Sequence, residues 1–106
     1  MANVVQLEAN LPWVYAVDRK SNRWIAVCPP LKLTIESEPE EFLETIREAM
    51  DGFFGELVSS GDLDRFLREH GWRRLTPIPD RRSELSFDVP LSTRRVRERD
   101  LHEAVC

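Results

Sequence analysis

Hydrophobic and polar positions in the first third of the chain follow the pattern of strands. Residues 13–17 are rich in aromatic and β-branched side chains, and the polar residues 18–23 that follow predict a turn. Residues 24–28 are apolar at every position, which predicts a central strand with both faces covered. After two prolines, residues 31–36 alternate between apolar and polar, as in a half-buried strand. The pattern therefore predicts an antiparallel sheet.

A helical period replaces this alternation after residue 37. Ser37 and Glu40 have the spacing of a capping box, and Pro39 occupies a position that the first helical turn tolerates. The helix is predicted to end near Ser59. Its apolar stripe, predicted to be core, comprises Phe42, Ile46, Ala49, Phe53 and Leu57 and is widened by Leu43, Met50 and Phe54.

Two glycines, Gly52 and Gly55, lie inside this predicted helix. Each lowers helix stability by about 1 kcal/mol relative to alanine. Their presence predicts either close packing against another element or a local irregularity.

The remaining chain predicts shorter elements. Asp62 can cap a second, short helix that Gly71 closes as the C′ residue. Residues 85–89 alternate like a strand, which either pairs with the same strand of a second copy or adds an edge to the chain's own sheet. Thr93 is placed to cap a last helix over residues 94–104.

Together these elements predict an α+β fold. It would consist of a small antiparallel sheet of three to four strands, one long helix across one face and a short second helix. Residues 1–76 are expected to form this α+β domain. Residues 77–106 are expected to form an extension with a short strand at about 84–90 and a basic C-terminal tail or helix.

Charge and composition narrow the function classes. The net charge is -4; residues 1–72 carry 7 basic and 13 acidic side chains, and residues 73–106 carry 8 and 6. An acidic module suits a basic protein partner better than nucleic acid. No apolar run approaches the length of a membrane span, no secretory signal is visible, and Cys28 and Cys106 form no disulfide framework. A cytoplasmic protein without membrane contact is expected.

Several short motifs share an order with a known family. They are VYAV at 14–17, WIAV at 24–27, CPPL at 28–31, SEPEE at 37–41, IREA at 46–49 and LDRFLREHGW at 63–72. On these motifs, residues 13–74 resemble the HicB-like antitoxins of type II toxin-antitoxin systems. The C-terminus departs from the family, since it carries no helix-turn-helix or ribbon-helix-helix of the usual length.

The resemblance implies a partial RNase H-like fold and a non-catalytic role. Members bind and neutralise a small basic mRNA-cleaving toxin of the HicA type, and many also bind operator DNA through a separate C-terminal segment. A homodimer or a higher homo-oligomer is expected, with no cofactor, no metal site and no catalytic residue.

Two sets of candidate contact residues follow. The partner-binding set comprises Trp13, Tyr15, Glu36, Glu40, Glu41 and Glu44. Trp13 fits a core position or an exposed anchor equally well, whereas Trp24 fits the core better. The candidate nucleic-acid contacts are Arg94, Arg95, Arg97 and Arg99. Because acidic residues are interleaved with these arginines, a solvated or partner-bound tail is the alternative.

Two other functions stay open. The first is a stand-alone protein-interaction module of the same fold without a toxin partner. The second is a metal-dependent nuclease, which would need Asp18, Glu44, Glu48 and Asp51 to converge, although ordinary helix-surface ion pairs explain the same spacing. Cys28 fits a buried apolar position, and His70 and His102 have no neighbour that would make a catalytic dyad.

Overall fold

The computed structural model describes residues 4–79 and 85–105, with the side chains of the last helix described only as far as Leu101. The strands are β1 (Val4–Glu8), β2 (Leu11–Asp18), β3 (Arg23–Cys28), β4 (Leu33–Ser37), β5 (Arg73–Arg74), β6 (Ser86–Asp88) and β7 (Leu91–Arg95). The helices are α1 (Phe42–Ser60), α2 (Leu63–Glu69) and α3 (Glu98–Val105), and short 3-10 turns cover Pro29–Leu31 and Pro39–Glu41. The fold is therefore α+β, as predicted.

Contacts divide the chain into two interleaved units. The first unit comprises Met1–Asn10 and Met50–Pro90, and the second comprises Leu11–Ala49 and Leu91–Cys106. Each unit contains one small sheet. The boundary predicted after residue 76 falls inside the first of these units.

The second unit contains a four-stranded sheet in the order β4-β3-β2-β7. The first three strands pair antiparallel, with Tyr15 opposite Ala26 and Ala26 opposite Ile35. Strand β3 therefore has a neighbour on each side, which confirms the central strand predicted from its continuous apolar run. Strand β7 pairs with β2 in parallel, with Trp13 opposite Thr93.

The predicted last helix began too early. Residues 91–95 form the edge strand β7, and helix α3 starts at Glu98, where the Arg97 carbonyl accepts hydrogen bonds from the amides of Asp100 and Leu101 at 2.9 and 3.2 Å. An edge strand has only one hydrogen-bonded neighbour and is open to solvent, so polar and charged side chains are common there. The apolar alternation that identifies inner strands was therefore missing.

The first unit contains a three-stranded sheet in the order β5-β1-β6. Strand β1 pairs antiparallel with β5 (Leu7 opposite Arg74) and parallel with β6 (Val5 opposite Phe87). Of the two roles considered for residues 85–89, the structure shows the addition of an edge to the chain's own sheet. Residue 84 of the predicted strand lies outside the described residues.

The long helix ends at Ser60, close to its predicted end, but the capping box is wrong. Ser37 is the last residue of β4, where it pairs with Trp24, and its side chain is 2% exposed. Glu38 precedes the 3-10 turn and makes no side-chain capping bond. The pairing with β3 thus holds Ser37 in the sheet and away from the helix.

The predictions for the glycines have different outcomes inside α1 and at the end of α2. A Cβ added at Gly52 or Gly55 would meet nothing within 4 Å, so the predicted close packing is wrong. Gly71 closes α2 as predicted, with φ of 73°, and the following amide of Trp72 donates to the Leu67 carbonyl at 2.8 Å. This is the Schellman arrangement that favours glycine at C′.

In the second unit, apolar side chains fill the space between the sheet and α3. The buried cluster contains Val14, Ala16, Val27 and Leu101, with Ile25 and Val96 packed against it. On the opposite face of this sheet, Phe42 of α1 contacts two aromatic rings of β2 and β3. Both faces of the central strand are therefore covered.

Within the described part of the chain, no helix has the combination of length and apolar composition that crossing a bilayer requires.

Candidate functional site

Three aromatic rings of the second unit pack together beside the start of α1. Tyr15 and Trp24 stack with ring centroids 5.0 Å apart and an interplanar angle of 13°. The Phe42 ring lies 4.9 Å from Tyr15 and 5.1 Å from Trp24, in tilted and edge-on orientations. Phe42 is buried, whereas Tyr15 and Trp24 are half-buried and keep part of each ring accessible.

A shallow cleft of about 330 Å³ lies over these rings. Leu43 borders it and is 59% exposed, so the prediction that this residue belongs to the core is wrong. Leu43 follows the buried Phe42 by one residue, which is a rotation of about 100° around the helix and brings its side chain off the buried face. The cleft is lined by Tyr15, Trp24, Pro39, Glu40, Phe42, Leu43 and Thr93.

One carboxylate lines this cleft, and two more follow it closely in the chain. Glu40 lines it, and Glu41 and Glu44 are exposed on the adjoining turn and first helical turn. The structure thus places Glu40 and Tyr15 of the predicted partner-binding set at one cleft, with Glu41 and Glu44 next to it in the chain. We call Tyr15, Trp24, Phe42, Leu43, Glu40, Glu41 and Glu44 the aromatic–acidic surface.

Two residues of the predicted set do not belong to this surface. Trp13 is 0% exposed and is therefore a core residue, which decides between the two roles considered for it. Glu36 lies across from Ile25 and accepts a hydrogen bond from Arg23 Nε at 2.7 Å, so this carboxylate already has a partner in its own chain. Trp24, expected in the core, is instead half-buried.

Two of the four carboxylates considered for a metal site have other contacts. Asp18 organises the β2–β3 turn, accepting from the Lys20 amide and the Ser21 hydroxyl at 3.0 Å each, and these bonds hold the pKa of Asp18 below its usual range. Asp51 accepts from the Phe87 amide at 2.9 Å and so anchors β6. Among the described residues, no three metal-ligating side chains gather in one place.

Cys28 is buried, and burial raises the pKa of its thiol to about 11. The thiol is therefore protonated near neutral pH and lacks the thiolate character of a nucleophile. This agrees with the apolar role predicted for Cys28. Cys106 and the side chain of His102 lie outside the described residues.

His70 is tied to its own helix. Its Nδ1 lies 3.0 Å from the Phe66 carbonyl, and its ring stacks on Trp72 with centroids 4.7 Å apart. Both contacts explain its position at the end of α2 without a catalytic role.

Of the four predicted arginine contacts, Arg94 is separated from the other three by the geometry of β7. Arg94 is the register partner of Val14, and Arg95 is the register partner of Tyr15, so the two arginines lie on opposite faces of the sheet. Arg97 pairs with Asp100 at 3.3 Å. Arg95, Arg97 and Arg99 line one cleft together with Arg19, a residue of the β2–β3 turn that sequence analysis did not select.

No family model, curated protein or solved structure matches the chain. This cleft combines a partly exposed apolar centre with an acidic side chain in its lining. An apolar centre with a polar rim is the composition found in many protein-binding surfaces.

Proposed function

We propose that the chain is a non-catalytic, HicB-like antitoxin that binds and neutralises a small basic mRNA-cleaving toxin through the aromatic–acidic surface. The observation that carries this proposal is the position of Leu43, 59% exposed at the cleft formed beside the Tyr15–Trp24 stack. A large apolar side chain in that position gains free energy when a partner removes it from water.

The aromatic centre supplies the affinity in this proposal. Tyrosine and tryptophan are enriched among the residues that dominate binding energy, since they bury large rings and lose little rotamer freedom. The Phe42 ring packs against both rings, with centroid distances of 4.9 Å to Tyr15 and 5.1 Å to Trp24. The stacked pair is therefore held in place before the partner binds. Preorganisation of this kind reduces the entropic cost of association.

The carboxylates supply the preference for a basic partner. Residues 36–51 contain seven acidic side chains and one arginine. Glu40 lines the cleft, and Glu41 and Glu44 are exposed next to it in the chain. Complementary charge raises the association rate and disfavours acidic competitors. A ribonuclease needs a basic surface to hold RNA, so an acidic inhibitor can cover that surface directly.

The fold supports the same proposal. The chain contains the antiparallel strands β2, β3 and β4 with a long helix contacting one face, which is the arrangement that the resemblance implies. Self-association of the chain remains a prediction, which light scattering during size-exclusion chromatography of the purified protein would test.

The test is co-expression with the product of a small basic open reading frame adjacent to the gene, read by growth rescue and by co-elution. Leu43→Asp should abolish rescue because it introduces a charge at the centre of the surface. Leu75→Asp is the matched control, since Leu75 is 52% exposed and belongs to the first unit. Thermal unfolding of both variants checks that they fold.

Rescue by the wild type and by Leu75→Asp, with loss of rescue in Leu43→Asp, would support the proposal. Equal rescue by Leu43→Asp would place the contact surface elsewhere. A neighbour that is not toxic, or a toxin that does not co-elute, would overturn the antitoxin role and favour the stand-alone interaction module.

A second test addresses charge. The double variant Glu40→Lys, Glu44→Lys should lower the association rate about tenfold at low salt, with a smaller effect at high salt. The control Glu56→Lys, Glu69→Lys makes the same change at exposed positions of the first unit. Equal effects of the two double variants would show that net charge, and not this surface, steers the partner.

A further inference from the structure

A second cleft of the second unit, of about 800 Å³, has the opposite charge character. Its arginines are Arg19 from the β2–β3 turn, Arg95 from the end of β7, Arg97 just before α3, and Arg99 from the first turn of α3. Val17, Val96, Glu98 and Asp100 complete its lining. Four guanidinium groups in one cleft are unusual in a chain whose net charge is -4.

The topology of the sheet explains why the cleft exists. Strands β2 and β7 are parallel neighbours, so their carboxyl-terminal ends, at Asp18 and Arg95, point toward the same side of the sheet. From there β2 continues into its turn and β7 continues into α3. In open sheets, chains that diverge from the carboxyl ends of neighbouring parallel strands leave a crevice suited to ligands.

The two carboxylates in the cleft are already engaged. Glu98 Oε1 accepts a hydrogen bond from the Arg19 amide at 3.1 Å, and Asp100 pairs with Arg97 at 3.3 Å. Among the side chains that the structure describes, no carboxylate lies within ion-pair distance of the guanidinium groups of Arg19, Arg95 or Arg99. Like charges in proximity repel one another, so a bound anion would stabilise this arrangement.

We propose that this arginine cleft binds the phosphate groups of a single-stranded nucleic acid. Guanidinium groups donate paired hydrogen bonds that match phosphate oxygens, which favours phosphate over a simple point anion. The charged residues of this cleft differ from those of the proposed toxin contact, whereas the Tyr15–Trp24 stack serves both proposals.

The position of Arg95 favours a strand over an isolated nucleotide. Arg95 is the register partner of Tyr15, which places both residues on the same face of the sheet. Tyr15 and its stacking partner Trp24 keep part of each ring accessible. Proteins that bind single strands combine a basic groove for the backbone with nearby aromatic rings for the bases.

Arg94 provides an internal contrast. It is adjacent to Arg95 in sequence, equally classed as exposed, and on the opposite face of β7 as the register partner of Val14. If binding depended only on the basic composition of this segment, Arg94 and Arg95 would contribute equally. If the cleft binds the phosphates, only Arg95 contributes strongly.

The test measures fluorescence anisotropy of a labelled oligouridine of about 12 nucleotides with the full chain, at salt concentrations between about 50 and about 200 mM. Two double variants are compared, Arg95→Gln with Arg99→Gln and the charge-conserving Arg95→Lys with Arg99→Lys. Arg94→Gln and Arg95→Gln are also measured as single variants. Unlabelled uridine monophosphate serves as a competitor that offers one phosphate without a strand.

Wild-type protein should bind, and the double glutamine variant should lose at least about tenfold in affinity at low salt. The plot of log K against log salt should become shallower by about 1.4, since each phosphate contact of a single strand contributes about 0.7 and this variant loses two. The double lysine variant should keep most of the wild-type slope. Arg94→Gln should stay within about twofold of wild type.

Three outcomes would overturn the inference. One is the absence of wild-type binding at the lowest salt, and another is a loss in Arg94→Gln as large as that in Arg95→Gln measured singly. The third is competition by uridine monophosphate at a concentration equal to that of the oligonucleotide, which would assign the cleft to a free nucleotide. None of them affects the growth-rescue test, so the two proposals fail separately.

Discussion

Tyr15 and Trp24 stack face to face across β2 and β3, with centroids 5.0 Å apart and ring planes 13° apart. They are diagonal neighbours, since Tyr15 is opposite Ala26 and Trp24 is opposite Val17. Diagonal positions on one sheet face are within reach of aromatic side chains. The stack is therefore a property of the strand register, and it forms the centre of the aromatic–acidic surface.

This stack should contribute a measurable coupling energy. A double-mutant cycle of Tyr15→Leu and Trp24→Leu, followed by urea unfolding, is expected to give an interaction free energy of about 1 kcal/mol. The same cycle with Tyr15→Leu and Trp72→Leu, a tryptophan of the first unit, is the control and should give additive effects. Additivity between Tyr15 and Trp24 would show that the two rings do not interact in solution.

Ser37→Ala distinguishes the observed structure from the capping box. The Ser37 side chain is 2% exposed, and its hydroxyl has no hydrogen-bond partner among the described residues. Removing a buried hydroxyl without a partner should leave the free energy of unfolding unchanged or raise it by up to about 1 kcal/mol. Loss of a helix cap would lower it by about 1 kcal/mol. Urea unfolding of the variant, with Ser59→Ala as the exposed control, decides between the two.

Two glycines should respond in opposite directions to alanine. Gly52 is exposed inside α1 with open space around its Cβ position, so Gly52→Ala should raise the free energy of unfolding by about 1 kcal/mol. Gly61 has φ of 78° at the end of α1, so Gly61→Ala should lower it by about 1 kcal/mol. Thermal and urea unfolding would measure both changes. A destabilising effect at Gly52 would mean that α1 packs more closely there than the structure shows.

Asp64 should contribute to the pH dependence of stability. Arg74 donates to both carboxylate oxygens, from Nε at 3.0 Å and from a terminal nitrogen at 3.1 Å, and these bonds hold the pKa of Asp64 below its usual range. Because the folded-state pKa is lower than the unfolded value of about 3.9, the stabilisation is present above that pH. It is lost as the pH falls through the folded-state pKa.

Asp64→Asn is therefore expected to lower the free energy of unfolding at about pH 7 and to make little difference at about pH 2. The Asp64 side chain is 59% exposed, so solvent screening limits the effect to about 0.5 to 1 kcal/mol. Urea titrations at both pH values measure it, and Glu69→Gln serves as a control for the loss of one negative charge. An equal loss at both pH values would indicate a packing effect of the substitution and not the ion pair.

The elements that sequence analysis predicted well are those whose signal is local. The continuous apolar run of β3 requires cover on both faces wherever the strand lies, and the apolar period of α1 requires a buried side. Gly71 is similar, because the need for a positive φ at a helix end is a property of a few residues. The α+β class follows from these local signals in combination.

The features that the sequence did not reveal depend on pairing between distant segments. The sequence predicts a helix from residue 94 onward, since Ser92, Thr93 and Arg94 carry no apolar alternation. Residues 91–95 form a strand only because β2 offers an edge for parallel pairing. That pairing also brought Arg19 and Arg95 to one cleft, although 76 positions separate them in the chain.

The two tryptophans Trp13 and Trp24 also show which features follow from local sequence and which depend on distant segments. Sequence alone determined that Trp13 and Trp24 lie on neighbouring strands, since both belong to apolar runs separated by a polar turn. Only the tertiary structure decided that Trp13 is fully buried and that Trp24 lies half-exposed on Tyr15. Burial depends on which other elements cover a position, and that information is held by residues far away in the chain.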